Sequence, residues 1–207
     1  MNVARSLAVG IGVAALVATT AGTALASETE PVLPAGVSQE QAAADGKLDP
    51  EHLAHKAAKE AEERALGLDR SPSGSLPLVA VRKANGEVEL QARTADGTLL
   101  AADYPCSSGF ACLYYNSGRA GAVFRQGNDG KPLSISNYAG YTFYGTGNGS
   151  GQAVKNNAAS IQNSRSGKYA VYYLSGYSGP ADIALANSGR NLDFTYNENA
   201  SGQPYTG

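Results

Sequence analysis

A block of eight residues occurs twice in the C-terminal half of this 207-residue chain. Tyr114 to Gly121 reads YYNSGRAG and Tyr172 to Gly179 reads YYLSGYSG, with Tyr, Tyr, Ser, Gly and Gly shared in one register 58 residues apart. A one-residue slip extends the likeness, because Gly130, Lys131 and Leu133 answer to Gly189, Arg190 and Leu192. Self-similarity at a fixed period marks a supersecondary unit that cannot bury its apolar face alone, so each copy must pack against its twin.

Aromatic residues locate the folded part. All 12 Tyr and all 4 Phe fall at or after Tyr104, and aromatic side chains supply much of the buried area in a small core. Residues 104–207 therefore form one domain of two repeats, 104–165 and 166–207. Each copy opens with an aromatic strand, Cys112 to Tyr115 or Tyr169 to Leu174, and turns through glycines that accept positive φ. Further strands are expected around Val123-Phe124 and Leu133 to Ile135 in copy one, around Ile183 to Leu185 and Leu192 to Phe194 in copy two, and after the NNAAS and NENAS stretches. Four short strands per copy, with no helical period, predict an all-β sandwich of two Greek-key motifs.

The first 26 residues have the layout of an export signal: Arg5, the apolar run Leu7 to Val17, and the small-residue site Ala24-Leu25-Ala26. The run is shorter than the roughly 20 apolar residues of a membrane span. Export places Cys106 and Cys112, the only cysteines, in an oxidising space where they close a small loop. Such a loop contributes about 2 kcal/mol by chain entropy. Residues 27–75 form an acidic, alanine-rich arm or pro-segment with ten acidic and five basic side chains. Ser38 with Gln41 reads as a capping box, and Asp49-Pro50 opens a helix that runs to about residue 66 and stops at Gly67. Its apolar face is mostly alanine and predicts a weakly anchored, mobile element. His52 and His55 stand at helical spacing, where a solvated face outweighs a metal pair because no third ligand is in evidence. Residues 76–103 alternate Val79, Val81, Val88 and Leu90 around Asn85-Gly86, a hairpin signal, with a second turn at Asp96-Gly97.

The segments CSSGFACLYYNSGRAG and KNNAASIQN resemble the secreted actinomycete peptidase inhibitors of the Streptomyces metalloproteinase inhibitor type, whose fold is that of the βγ-crystallins. The resemblance covers about residues 104–207 and rests on Cys106 and Cys112, the aromatic-to-glycine spacing, and Asn156-Asn157-Ala158-Ala159-Ser160 with Asn163. It implies a secreted, extracellular inhibitor that occludes the cleft of a metallopeptidase. Killer-toxin-like antimicrobial proteins and calcium-binding structural modules of the cell surface share the fold and define the alternative readings. The crystallin calcium motif is a pair of Asn or Asp, two arbitrary residues, then Ser or Thr and Ser. Candidate calcium ligands are therefore Asn156, Asn157 and Ser160 in copy one and Asn197, Glu198 and Ser201 in copy two. Both copies lack the closing serine, and Asn156 and Asn157 are neutral, so any Ca2+ binding is expected to be weak and no cofactor is required.

The contact loop with the peptidase is expected at 137–154, which lengthens copy one and holds Tyr138, Tyr141, Phe143 and Tyr144 beside a glycine-rich tip. Catalysis is disfavoured: residues 104–207 contain no histidine and four acidic residues, Asp129, Asp182, Asp193 and Glu198. No Ser-His-Asp or zinc site assembles from that set. Residues 27–75 carry net charge minus five and residues 104–207 plus three. That allows the arm to rest on the domain, but it is too little for nucleic acid.

Overall fold

Positive φ angles recur at the same places in both repeats: Gly118, Arg119 and Gly121 at 71°, 64° and 75°, and Gly176, Tyr177 and Gly179 at 73°, 60° and 74°. The shared block is thus one folded hairpin built twice. In copy one it joins β4 (Ala111–Asn116) through a 3-10 turn (Ser117–Arg119) to β5 (Ala120–Gln126). In copy two it joins β7 (Lys168–Leu174) to β8 (Ser178–Ala184). The register slips at Tyr114/Asn116 in one hairpin and at Tyr172/Leu174 in the other. A Cβ on Gly121 would lie 2.8 Å from the carbonyl oxygen of Asn148, so space as well as φ demands glycine there.

The computed structural model describes residues 31–207 apart from 69, 71–77, 83, 85–87, 94–98, 101–104 and 128–129. The export signal read over residues 1–26 lies outside the described residues, as do the turns at Asn85-Gly86 and Asp96-Gly97. Before the domain come α1 (Gln39–Ala44), α2 (Pro50–Ala65) and a separate antiparallel sheet of β1 (Leu78–Arg82), β2 (Val88–Arg93) and β3 (Leu99–Leu100). That is one strand more than the alternation suggested. The domain is completed by β6 (Ser160–Asn163), β9 (Ser188–Asn191) and β10 (Ser201–Tyr205).

Two sheets form the sandwich, ordered β5-β4-β6-β9 and β10-β7-β8. The repeats exchange a strand. β9 belongs to copy two but pairs with β6 of copy one, matching Ile161 to Arg190. Reciprocally, Ile135 of copy one bridges Gly202 of β10. Two interlocked Greek keys that lend each other one strand form the βγ-crystallin arrangement, and the all-β expectation is met by this topology. Details differ from the sequence reading. The strand expected over Leu192 to Phe194 lies earlier, at Ser188–Asn191, and Phe194 is exposed. Its counterpart over Leu133 to Ile135 shrinks to the bridge at Ile135. Tyr138 donates its main-chain N–H to Ala200 at 2.8 Å as Leu192 does to Ala159 at 2.9 Å, so Tyr138, not Leu133, corresponds to Leu192.

The main core lies between the sheets and contains Leu113, Phe124, Tyr138, Phe143, Ile161, Tyr169 and Val171. Gln126 satisfies the hydroxyls buried there: its Nε2 donates to Tyr138 at 3.1 Å and its Oε1 accepts from Tyr169 at 2.8 Å. A smaller cluster on the outer face of β4 joins Phe110, Tyr114 and Val123 to the Cys106–Cys112 disulfide.

Candidate functional site

Two regions of the described surface carry organised chemistry. One is the long loop of copy one, and the other is the paired-loop face on which α1 and α2 sit.

The loop is a small hairpin. Thr142 bridges Ala153 at its base, and Tyr144 bridges Val123 of β5. Four glycines, Gly145, Gly147, Gly149 and Gly151, hold positive φ in alternation, which other residues adopt only at a cost. The turn is closed from within: Ser150 Oγ donates to the Gly145 carbonyl at 2.6 Å, and Gln152 N to the Gly149 carbonyl at 3.0 Å. It is tied to the sandwich where Ala122 N donates to the Asn148 carbonyl at 2.8 Å. Thr146, Gly147 and Asn148 are exposed at the tip. The aromatic residues expected to be anchors divide differently. Tyr138 and Phe143 are buried in the main core, Tyr141 packs against it, and Tyr144 packs against the disulfide cluster. Neither Tyr138 nor Phe143 can serve as an interface anchor, because the sandwich already uses both as core.

On the paired-loop face, the first asparagine of each motif, Asn156 and Asn197, holds φ at 64° and 53°. Ser160 Oγ donates to Asn116 O at 2.6 Å and accepts from Arg119 N at 2.9 Å, while Ser201 Oγ donates to Leu174 O at 2.7 Å and accepts from Tyr177 N at 3.0 Å. Each serine therefore staples the folded hairpin of its own repeat, as Ser and Asn side chains do in turns. The other candidate calcium oxygens face lysines. Lys47 Nζ donates to Asn156 Oδ1 and the Glu198 carbonyl, and Lys59 Nζ donates to Asn197 Oδ1 and the Asn157 carbonyl. With the helices docked these residues do not fit calcium, because lysine amino groups already take the candidate oxygens and both serine hydroxyls bond within their own repeats.

The rest of the face is built the same way. Lys47 lies 4.6 Å from the ring centroid of Tyr173 and Lys59 lies 3.9 Å from that of Tyr115, which are equivalent residues of the two repeats. Burial pulls both ammonium groups down from the ordinary lysine range to about 7, against the opposing pull of Glu198 and Asp45 on Lys47 and of Glu63 and Glu62 on Lys59. Glu198 also meets Lys56 at 2.7 Å and His52 at 3.1 Å. Burial pushes its carboxyl up, but the hydrogen bond from His52 and the charges of Lys56 and Lys47 more than offset this and leave it lowered. His52 and His55 do not share a ligand, since His55 Nε2 lies 3.3 Å from the hydroxyl of Tyr115.

The helical segment is thus anchored differently from expectation. Capping by Ser38 and Gln41, the Asp49 cap, Pro50 at the first turn and Gly67 with φ 67° are as read from the sequence. On α2 the buried side chains are Lys59 and Glu63 rather than alanines, and Lys47 is buried just before it, with Ala42 of α1 also among the buried residues of the segment. Sequence reasoning missed Lys47, Lys59 and Glu63 because charged residues in or just before an alanine-rich helix look like a solvated surface. The one available signal was the Lys59/Glu63 spacing, which puts both on one side of α2.

The fold is a two-Greek-key scaffold that carries an ordered, exposed loop. The model of peptidase inhibitor family I36 matches residues 100–184, so that stretch of the chain is similar to the family. The match supports a peptidase inhibitor rather than an enzyme. No curated protein matches the chain. Among solved structures it is similar to a chain from work on the evolution of the eye-lens βγ-crystallin domain fold, at 11% identity and TM-score 0.37, covering 49% of this chain and 89% of that one. It is also similar to a βγ-crystallin from Ciona intestinalis, at 16% identity and TM-score 0.34, covering 47% and 100% respectively.

Proposed function

We propose that the chain is exported and that its β domain inhibits an extracellular zinc metallopeptidase by occluding the cleft, with the tip of the hairpin Thr142 to Ala153 as the inserted element. The observation that supports this is the pre-ordering of the loop. Its glycines would cost much ordering entropy if the loop became fixed only on binding. Here the hydrogen bonds of Ser150, Gln152 and Ala122 fix it beforehand, so more of the contact energy appears as affinity. The tip is exposed and is tied to β5 of the sandwich, as a cleft-filling element requires. No helix among the described residues is long and apolar enough to cross a membrane.

The test is Asn148→Arg, which puts a bulky charge on the exposed tip without touching the core. Inhibition of a thermolysin-like enzyme weakens by more than about tenfold, or 1.4 kcal/mol, with Tm unchanged. Equal inhibition by variant and parent would remove the tip from the mechanism. Phe143→Ala, by contrast, acts through the fold, because Phe143 is buried.

A further inference from the structure

The contacts of the helical segment repeat with the symmetry of the domain beneath it. Asp45 accepts from the main-chain N–H and the hydroxyl of Ser175 at 2.7 and 2.6 Å. Glu63 accepts from the same two groups of Ser117, each at 2.9 Å. Ser117 and Ser175 are the equivalent serines of the two YYxSG blocks. Beside each carboxylate stands a lysine that takes a first-asparagine Oδ1 from one motif, a second-residue carbonyl from the other, and a tyrosine ring. One segment without any internal repeat therefore satisfies two copies of one constellation, Asp45-x-Lys47 at one and Lys59-xxx-Glu63 at the other.

We propose that residues 38–68 are a self-ligand of the domain: a plug that fills two equivalent recognition sites, each built for a lysine amino group beside a carboxylate. The sites are receptors and not incidental contacts, because the serine, the asparagine oxygen, the main-chain carbonyl and the tyrosine ring of each have a counterpart in the other repeat. Lys47, Lys59 and Glu63 are 1%, 2% and 0% exposed, so undocking would return three charged groups to water and leave the serine N–H groups and asparagine oxygens without these partners. The plug leaves the loop tip uncovered: Thr146, Gly147 and Asn148 are exposed with the helices in place. The proposal therefore stands independently of the inhibitory reading. Its ligand class is a peptide that presents lysine and an acidic residue two or four positions apart, and the resident example is the chain's own segment. Calcium does not enter while that example is bound.

The test uses the full chain with a site-specific protease sequence inserted between Gly74 and Ser75. After cutting, the segment remains with the domain through size exclusion at micromolar concentration, and millimolar calcium does not displace it. A labelled synthetic peptide of residues 38–68 exchanges into the cut chain, whereas the same peptide carrying Lys47→Met and Lys59→Met competes at least about tenfold less well per lysine removed. The peptide arm uses the folded parent chain, so it reads the sites even where a lysine variant of the whole chain fails to fold. Loss of the segment on cutting, equal competition by the two peptides, or displacement by millimolar calcium would each overturn the proposal.

Discussion

The carboxylate of Glu63 holds Ser117 by two bonds of 2.9 Å, one to its main-chain nitrogen and one to its hydroxyl, and takes a third from the hydroxyl of Tyr196 at 2.8 Å. Glu63 thus caps the folded hairpin of copy one from a helix 54 residues away in sequence. Because it is fully buried, glutamine in its place keeps one acceptor oxygen and sets an amide NH2 against one or two of the three donors, and each such loss costs on the order of 1 kcal/mol or more. Glu63→Gln is expected to lower unfolding stability by about 2–4 kcal/mol in urea titration. Asp45→Asn, at the more exposed equivalent position, costs about 1 kcal/mol. A loss for Glu63→Gln no larger than for Asp45→Asn would show that the caps are decorative.

Docking of the helices strengthens with rising pH in two separate ranges. Lys47 and Lys59 are pulled down to about 7 in the folded chain. Between about pH 7 and 10 the unfolded chain therefore binds more protons than the folded one, and stability rises with pH. On the acid side Glu198 and Asp45 are lowered on folding. Their contribution is complete above the usual carboxylate range near 4 and is lost as pH falls through the lowered values. Hydrogen-exchange protection of α2, corrected for intrinsic rate, should rise from pH 7 to 9 and fall below about pH 4. A decline between pH 7 and 9 contradicts the burial of the two lysines.

Gly202 tests how tightly the two sheets close. A Cβ there would meet the hydroxyl of Tyr138 at 2.1 Å and that of Tyr169 at 2.9 Å, and both tyrosines are fully buried and tied to Gln126. Gly202→Ala should lower Tm by the equivalent of about 1–3 kcal/mol. Gly167→Ala, where a Cβ meets nothing within 4 Å, should change it little. Equal effects at the two positions would mean that the core has slack.

The sandwich was legible because its signal is local and doubled: the YYxSG block states both the aromatic strand and the glycine turn, and each copy checks the other. Helix α2 was legible for the same reason, since Asp49, Pro50 and Gly67 mark its ends within one or two residues. What sequence alone could not reach depends on long-range contact. The position of β9 turns on which residue of copy one corresponds to Leu192, and the long loop hides that Tyr138 does. Phe143 reads as an exposed loop aromatic until the hairpin is seen folded onto β5. Lys47 and Lys59 read as solvated until their four oxygen partners, about 100 or more residues away, are placed beside them.

Inhibition is tested most directly by titrating the purified chain against a fixed concentration of an active-site-quantified thermolysin-like zinc peptidase. The account predicts that residual activity falls linearly to an end point near one inhibitor per enzyme, and that it does so with the helical segment still attached, because the tip from Thr146 to Asn148 is exposed beside the docked helices. Full activity of a panel of such enzymes at excess inhibitor would contradict it.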